Sequence, residues 1–171
     1  MWGLRAKYCA LCGAELISAQ VEGRERKRCP SCSFVLYLNP ASAAAAVVLD
    51  GQGRVLLMRR SIPPHQGSWA LPAGYQEVDE GPRETVVREV REETGIEIAV
   101  QELLDVIFIP DDPRKPANVT VFLCREVGGQ LAAGDDALDA AWFPLDALPE
   151  DLGFACNVEI LEGVRKRHSS G

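Results

Sequence analysis

Carboxylates crowd a 23-residue stretch from Gly74 to Ile96. Pro82 suits the first turn of a helix with Gly81 as its cap, and Gly95 supplies a left-handed stop. We therefore expect a helix from Pro82 to Glu93 or Thr94. At roughly 100° per residue, glutamates at spacing i, i+3 and i+4 share one face of such a helix. In this sequence they are Glu89, Glu92 and Glu93.

Three carboxylates on one helix face repel each other unless a cation lies among them. Hard oxygen ligands suit Mg²⁺ or Mn²⁺, which usually keep several waters and contact substrate phosphates. Arg88 lies one turn before Glu92 and one turn after Glu84, within pairing distance of both. The pattern predicts a magnesium or manganese site with an arginine beside it, and a solvated acidic helix face is the alternative.

The same segment resembles the Nudix box, G-x5-E-x7-R-E-U-x-E-E-x-G-U, in which U is an aliphatic residue. Every fixed position is met, by Gly74, Glu80, Arg88, Glu89, Val90, Glu92, Glu93, Gly95 and Ile96. Ala73 stands where many members have a second glycine, and Asp79 stands where many have glycine before the glutamate. Neither position is fixed in the pattern.

The resemblance implies hydrolysis of a nucleoside diphosphate linked to another moiety. It implies that Glu89, Glu92 and Glu93 hold the catalytic metal, with the backbone carbonyl of Ala73 as a further ligand. Arg88 would hold a glutamate in place, and Glu93 is our first choice for a carboxylate that also activates water. Weaker candidates for further ligands or supporting acids are Glu77, Glu80, Asp136 and Asp139.

Two CxxC pairs precede this region, Cys9 with Cys12 and Cys29 with Cys32, separated by 16 residues. Four thiolates at this spacing predict one closed, structural zinc site. Two disulfides or a redox switch are the alternatives. We expect residues 1–38 to form a zinc ribbon that is too small to fold without its metal, and residues 39–171 to form the Nudix domain.

Length and composition favour a soluble globular protein. The chain has 171 residues, of which 47% are hydrophobic and 25% charged, and its net charge is −7. This acidity argues against general nucleic-acid binding and against a membrane surface. The N-terminus has no apolar signal region, so we expect a cytoplasmic protein. The sequence leaves the oligomeric state open, and a homodimer is one option.

Further elements are expected on both sides of the box. Residues 43–49 form an apolar run typical of a central strand, and residues 54–60 form the returning strand of a hairpin. Later strands are expected within 97–109, as a strand pair or one bent strand, at 119–126 and at 141–143, followed by a helix over 157–167. The resemblance implies an α/β (α+β) fold in which a mixed sheet lies between helices, with the small ribbon before it.

Candidates for substrate contacts are less specific. Arg59, at a strand end, could bind phosphate, and Pro110 lies 15 residues after Gly95, a spacing similar to that of ADP-ribose pyrophosphatases. Aromatic candidates for stacking a base are Trp69, Phe108, Phe122 and Trp142, although core packing is the default for each. We interpret His65 as an ordinary loop residue, and Cys124 and Cys156 as small buried hydrophobic residues.

Ribbon-bearing Nudix proteins include NADH, FAD and ADP-ribose pyrophosphatases. The sequence lacks the SQPWPFPxS segment of NADH pyrophosphatases. We therefore favour a small-molecule substrate, either an ADP-containing dinucleotide or an ADP-sugar, cleaved to AMP and a phosphorylated product. Two alternatives remain: a nucleotide-sensing regulatory module that uses the ribbon to contact a partner, and an isomerase or RNA-processing member that acts on a capped 5′ end.

Overall fold

The computed structural model describes residues 5–110, 115–134 and 136–168. Near the N-terminus a three-stranded antiparallel sheet has the order β1-β2-β3. Its strands are β1 (Ile17–Val21), β2 (Arg24–Arg28) and β3 (Val35–Leu36). This small sheet has little apolar core, which consists of Leu16 and two cysteines with a few partly buried neighbours. The arrangement fits the predicted ribbon.

A second, seven-stranded sheet makes up most of the remaining chain. Its strands are β4 (Ala41–Leu49), β5 (Arg54–Arg60), β6 (Trp69–Ala70), β7 (Ala73–Tyr75), β8 (Ile96–Ile109), β9 (Ala117–Gly129) and β10 (Ala137–Pro144). The order is β10-β5-β4-β9-β8, with β6 paired to β5 and β7 to β4. Because β4 and β9 are parallel and the other pairs are antiparallel, the sheet is mixed, as expected.

The predicted hairpin of β4 and β5 forms only at its turn. The register between the two strands comprises Leu49 opposite Val55. Asp50 stabilises the turn, because its Oδ1 accepts hydrogen bonds from the backbone N–H groups of Gln52 and Arg54 at 2.9 and 2.8 Å. Beyond the turn the two strands diverge. The short strand β6 then pairs with β5, and the short strand β7 pairs with β4.

Two helices cover the faces of this sheet, α1 (Pro82–Thr94) and α2 (Ala155–His168). Alternate residues of β4 face opposite layers, as a central strand buried on both faces requires. The layer towards α1 contains Ala44, Ala46, Val48, Val86 and Val90. The layer towards α2 contains Ala45, Val47, Leu49, Leu161 and Val164.

The bounds of α1 agree with the prediction. Gly81 is its N-cap, Pro82 is its first residue, and Gly95 ends it at φ 71°, where the Gly95 N–H donates to Arg91 O at 2.9 Å. The second helix begins two residues earlier than predicted and ends one residue later. No helix within the described ranges has the length and apolarity needed to cross a membrane.

The segment after α1 is one bent strand. β8 pairs with β9 along its length, with register shifts near Glu97, Glu102 and Asp105 that bend it. β8 is an edge strand of the large sheet. Pro110 follows its end in an exposed turn.

Candidate active site and cysteine cluster

The Glu93 carboxylate is buried at the end of α1. Its Oε2 accepts a hydrogen bond from the Ala73 backbone N–H at 2.9 Å, and the residue is only 7% exposed. Burial raises the pKa of the Glu93 carboxyl group to about 8, with further repulsion from Glu89 and Asp136 and an opposing effect of Arg60. A cation bound beside this carboxyl group would lower its pKa, and the proton would be lost to solvent water.

Gly74 makes room for the second carboxylate of the site. A Cβ atom at position 74 would overlap the Glu89 carboxyl group. The backbone of Gly74 is fixed because β7 pairs with β4, with Gly74 opposite Ala44. Burial raises the pKa of Glu89, although Arg88 opposes the shift. A glycine at this position of the box therefore has a steric cause, the close approach of Glu89.

Arg88 joins three carboxylates of the box. Its Nη1 donates to Glu89 Oε1 at 2.7 Å and to Glu92 Oε2 at 3.0 Å. Its Nη2 donates to Glu80 Oε1 at 2.6 Å and to the Tyr75 carbonyl at 3.0 Å. The hydrogen bond from Arg88 is the main cause that lowers the pKa of Glu80 to about 2. The guanidinium group thus ties the loop before α1 to the acidic face of the helix.

One expectation for this cluster needs correction. The sequence spacing puts Glu84 within pairing distance of Arg88, but Glu84 is exposed in the first turn of α1, and the guanidinium pairs with Glu80 instead. The expected pairing of Arg88 with Glu92 is present, and the Glu92 side chain is 61% exposed. Glu77 is exposed at the rim, where its backbone N–H donates to Glu80 Oε1 at 2.9 Å.

A cavity of about 480 Å³ adjoins the carboxylates. Its acidic wall includes Glu77, Glu89, Glu93 and Asp136. Its apolar wall comes from β8, β9 and α2, and includes Ile107, Val119, Val121 and Ile160. Cavities of several hundred cubic ångströms with few polar groups typically bind small molecules. The arrangement offers charged and apolar surfaces to one ligand.

Arg60, rather than the predicted Arg59, lines this cavity. The Arg60 Nε donates to the Pro64 carbonyl at 2.7 Å, and its guanidinium lies 5.2 Å from the Phe154 ring centroid. Arg59 is exposed, and its Nε donates to the Gly67 carbonyl at 2.7 Å. Neighbouring residues of a strand face opposite sides, so only one of the two arginines reaches the site.

The loop after β9 brings Asp136 to the cavity. Gly134 N–H donates to the Glu93 carbonyl at 2.9 Å, and Ser61 N–H donates to the Asp136 carbonyl at 3.1 Å. Asp136, a candidate for a further ligand or supporting acid, therefore lies in the cavity wall. Asp139 lies opposite Arg59 in the β5–β10 ladder and is exposed, outside this wall.

Most of the predicted aromatic candidates have other roles. Trp69 packs edge-on against Phe143, with centroids 4.8 Å apart. Phe122 is buried in the layer towards α1, with Trp142 packed against that layer. Phe108 is exposed, and neither it nor Pro110 is part of the cavity lining. Core packing, the default interpretation, holds for Trp69, Phe122 and Trp142.

Several residues of the cavity escaped the sequence analysis. His65 contacts the Phe154 ring at a centroid distance of 4.6 Å, and both line the cavity with Asn157 and Cys156. His65 therefore has a partner, and Cys156 is half-buried at a cavity wall rather than in the core. Cys124 is fully buried, as expected. No local pattern marks these positions, because distant segments meet only in the folded chain.

The four N-terminal thiols form a compact cluster. Their Sγ atoms all lie within 4.8 Å of one another. Separations are 3.5 Å for Cys12–Cys29, 3.7 Å for Cys9–Cys32 and 3.8 Å for Cys12–Cys32. Zinc–sulfur bonds of about 2.3 Å in a tetrahedron separate sulfurs by about 3.8 Å. None of the four cysteines forms a disulfide in this structure.

The two clusters differ in donor chemistry. Four sulfur donors fit a soft, tetrahedral ion. At the helix, Glu89 and Glu93 offer oxygen donors that fit Mg²⁺ or Mn²⁺, and burial has left both carboxyl groups with raised pKa values. Within the described ranges, the four cysteines are the only set of three or more histidine, cysteine, aspartate or glutamate residues whose ligand atoms all lie within 4.8 Å of one another.

Comparison with known proteins agrees with this geometry. The chain belongs to the Nudix family, since the model of the NUDIX domain matches residues 39–162. It is 42% identical to an ADP-ribose pyrophosphatase of Methanocaldococcus jannaschii over 118 residues, which cover 68% of this chain and 69% of that protein. It is 33% identical to the NAD-capped RNA hydrolase NudC of Pseudomonas aeruginosa over 151 residues, or 87% of this chain.

Coverage differs among the relatives. The alignment with NudC accounts for 51% of that protein, so this chain spans about half its length. A crystal structure of a NUDIX hydrolase from Nitrosomonas europaea superposes with a TM-score of 0.87 at 27% identity, covering 97% of this chain and 94% of that one. The Nudix fold, a mixed sheet between helices preceded by a small cysteine-bearing sheet, is therefore confirmed, as is membership of a hydrolase family.

Proposed function

We propose that this chain is a metal-dependent pyrophosphohydrolase that cleaves an ADP-containing dinucleotide or ADP-sugar to AMP and a phosphorylated product. One observation carries the proposal: one cavity is bounded by the half-buried carboxylate of Glu89, by the buried carboxylate of Glu93 and by an apolar wall from the sheet and α2. A diphosphate with its metal suits the first wall, and a nucleoside suits the second. The relatedness to an ADP-ribose pyrophosphatase supports the choice of ADP.

The catalytic roles are assigned to box residues. Glu89, Glu92 and Glu93, with the Ala73 carbonyl, would hold Mg²⁺ or Mn²⁺. Such an ion, when bound, neutralises diphosphate charge and acidifies a water. Arg88 orients Glu89 and Glu92 through the hydrogen bonds of its Nη1. Because Glu93 Oε2 accepts a hydrogen bond from the Ala73 N–H, the other oxygen of Glu93 would contact the metal or take a proton from the attacking water.

Supporting roles follow from the loops. Glu80 holds Arg88 in position, while Glu77 and Asp136 are further oxygen donors in the cavity wall. We propose that Arg60, a cation among the described residues of the wall, contacts a substrate phosphate. We assign no substrate contact to Arg59, Trp69 or Pro110.

We further propose that residues 1–38 form a zinc ribbon and residues 39–171 the Nudix domain. Zn²⁺ at Cys9, Cys12, Cys29 and Cys32 would supply the folding free energy that the small core lacks. The sulfur separations of 3.5–3.8 Å support this choice of ion. We also propose a reducing compartment such as the cytoplasm, where thiols stay reduced and can bind zinc. A homodimer remains a proposal, which sedimentation equilibrium would test.

A substrate panel tests the main proposal. FAD, NADH, NAD, ADP-ribose and nucleoside triphosphates are incubated with the protein and Mg²⁺ or Mn²⁺, and AMP release is followed by chromatography. We expect AMP from at least one ADP-containing compound, and no product from any of them without the metal. Absence of turnover on the whole panel would refute the enzyme and support the nucleotide-sensing alternative.

A second candidate is removal of a nicotinamide cap from RNA. It is favoured by the NudC alignment, which extends over 87% of this chain. The net charge of −7 argues against a long RNA footprint. Turnover of NAD-capped RNA and of free NAD, compared at equal concentration and at two salt concentrations, separates the candidates. If the capped RNA is cleaved faster than free NAD, and if this cleavage is sensitive to salt, the result would favour the RNA-decapping function.

A further inference from the structure

The basic side chains are distributed unevenly along the sequence. The net charge of the whole chain is −7, but residues 1–38 carry +3 and the remaining residues carry −10. The N-terminal segment has three acids against six bases: Glu15, Glu22 and Glu25 against Arg5, Lys7, Arg24, Arg26, Lys27 and Arg28. The acidity of the chain therefore describes residues 39–171, whereas the N-terminal segment attracts anions.

Three arginines of β2 form a row on one face of the small sheet. Because side chains alternate along a strand, Arg24, Arg26 and Arg28 point to one side and Lys27 points to the other. Arg24 and Arg28 are exposed, and within the described ranges neither side chain has an ion-pair or hydrogen-bond partner. At about 3.4 Å per residue, the row is about 14 Å long. Two unpaired guanidinium groups thus flank the third.

Tyr37 adds an aromatic ring to this row. The Arg26 guanidinium group lies 4.6 Å from the centroid of the Tyr37 ring, and the Arg26 Nε donates to the Val21 carbonyl at 3.4 Å. These contacts hold the ring beside the arginines. Arg26 also pairs with Glu22 at 3.9 Å, but the Glu22 side chain is 69% exposed and such a pair is weak. Tyr37 is 46% exposed, so part of its ring is accessible to a ligand.

Strand β1 supplies an apolar side chain to the same face. Ile17 lies opposite Arg28 in the ladder of β1 and β2, and residues that are directly opposite point to the same side of a sheet. Ile17 is 49% exposed. We call the surface formed by these side chains the basic face, and it consists of Ile17, Arg24, Arg26, Arg28 and Tyr37. It combines positive charge with an accessible aromatic ring.

Phosphates and unstacked bases fit this face together. Guanidinium groups bind phosphates through paired N–H donors. A tyrosine ring stacks on a base that is not enclosed in a duplex, and a basic surface with aromatic rings is typical of proteins that bind single-stranded nucleic acid. A membrane surface requires a larger apolar anchor beside the basic residues. Among the described residues of this face, Ile17 is the exposed aliphatic side chain.

We propose that the basic face binds a short stretch of single-stranded RNA, with Arg24 and Arg28 on phosphates and Tyr37 stacked on a base. A row of about 14 Å accommodates about four nucleotides at about 3.4 Å each. Because cellular DNA is mostly double-stranded, RNA is the single strand that such a face meets. The small sheet is then a binding element as well as a structural one. This inference goes beyond the proposed hydrolysis at the cavity and does not depend on it.

Fluorescence anisotropy on the whole, zinc-loaded chain tests this binding. The probe is a 3′-labelled RNA of about 12 nucleotides with a 5′-hydroxyl group, so that it has no diphosphate for the cavity. We expect binding whose affinity falls at least about sevenfold between about 50 and 200 mM salt, the change that follows when two phosphates of a single strand are neutralised. Absence of binding at the lower salt concentration would overturn the proposal.

Removal of the two exposed cations tests the assignment to this face. Arg24→Gln combined with Arg28→Gln should weaken RNA binding at least about tenfold at low salt and remove most of its salt dependence. The matched control combines Arg91→Gln with Arg125→Gln, which removes two exposed arginines from the rest of the chain and changes the net charge equally. The control should keep the wild-type affinity within about twofold. Equal losses in both double variants would overturn the assignment.

The tyrosine is tested by a change that leaves the charge intact. Tyr37→Leu should weaken binding about tenfold without altering its salt dependence, because stacking on a base releases no counterions. Tyr37→Phe keeps the ring and should bind RNA as wild type does. Zinc content and Tm are measured alongside to show that the variants are folded. Unchanged affinity in Tyr37→Leu would contradict the stacking role.

Other ligands give the competing outcomes. Single-stranded DNA of the same sequence should bind within about threefold of RNA, and a duplex should bind more weakly because its bases cannot stack on Tyr37. Tighter binding of the duplex, or of vesicles that contain phosphatidylserine, would overturn the proposal. Self-association that is lost in Arg24→Gln with Arg28→Gln, while RNA binding is unchanged, would assign the face to a second copy of this chain instead.

This site and the proposed hydrolysis fail separately. Arg24 and Arg28 are outside the cavity lining, so AMP release from the substrate panel should be the same in their double variant as in wild type. If the panel yields AMP but RNA does not bind, the enzyme stands and the RNA site falls. If RNA binds through these arginines but the panel yields no product, the RNA site stands and the hydrolase assignment falls.

Discussion

Glu93 Oε2 accepts a 2.9 Å hydrogen bond from the Ala73 backbone N–H, which joins the last turn of α1 to β7. Through this bond the carboxylate is held at the cavity, because one of its oxygens already has a fixed partner. The short strand β7 and the helix α1 are therefore linked at the site by a side-chain hydrogen bond.

Replacing the box glutamates should abolish turnover without unfolding the protein. We expect Glu92→Gln and Glu93→Gln each to lower kcat by at least about 100-fold, because each removes negative charge from the proposed metal site. Circular dichroism should remain that of wild type. Glu84→Gln is the matched control, since Glu84 is an exposed glutamate of the same helix. Near-wild-type rates in both variants would contradict the metal assignment.

Stability should fall with rising pH when no divalent metal is added. The folded pKa of Glu93, about 8, exceeds the value of about 4.3 in an unfolded chain. Its contribution is complete below about pH 4.3 and is lost as the pH rises through 8. The drop in Tm between pH 5 and 8.5 should therefore be larger for wild type than for Glu93→Gln. Equal drops would show that the carboxyl group does not titrate in this way.

Gly74→Ala should disable the site while leaving the fold intact. The new Cβ would displace the Glu89 carboxyl group, which is the flexible end of a side chain. We expect kcat/KM to fall by at least about tenfold, with a loss of Tm of a few degrees at most. Gly51→Ala is the control, because nothing lies within 4 Å of its Cβ position. Full activity of the Gly74 variant would mean that catalysis does not depend on the position of the Glu89 carboxyl group.

Replacing Arg60 should change KM much more than replacing Arg59. We expect Arg60→Ala to raise KM by about tenfold, since it removes a cation that could bind phosphate. Arg59→Ala should stay within about twofold of wild type, because Arg59 is exposed and bonded to the Gly67 carbonyl. Steady-state kinetics on the preferred substrate measures both. A larger effect at Arg59 than at Arg60 would reverse the assignment.

The cysteine cluster should bind one zinc ion per chain. Cys29→Ser should lower the zinc content, measured by mass spectrometry of the metal, together with the Tm. Activity should be lost only as far as folding fails. Cys124→Ala separates the two effects: it creates a cavity at a fully buried position, so it should lower the Tm but keep the zinc. Wild-type zinc content in Cys29→Ser would exclude this ligand.

Local signals sufficed for the parts of the fold that depend on neighbours in sequence. The ends of α1 were predictable because Gly81, Pro82 and Gly95 act within one turn of the helix. The cysteine cluster was predictable because its spacing alone defines a site. The β4–β5 hairpin was predicted too simply, since pairing at Leu49 and Val55 gives way to the inserted strands β6 and β7.

The cavity walls were harder to predict because they form between distant segments. Val55 to Met58 are all buried, so β5 shows no polar alternation that would indicate which of its two terminal arginines faces the site. Asn157 and His65 are 92 positions apart in the chain. Both line the cavity because the start of α2 lies beside the loop after β5, where the His65 and Phe154 rings are in contact, and no local pattern indicates this contact.

The opening between β4 and β5 gives the site a main-chain support. β7 takes its hydrogen bonds from β4, as the register of residues 43–45 with 73–75 shows, so the main chain holds Ala73 and Gly74 in place. The contact of Ala73 with Glu93 is made by its backbone N–H. Because every residue except proline offers this donor, the hydrogen bond that fixes Glu93 does not depend on the side chain at position 73.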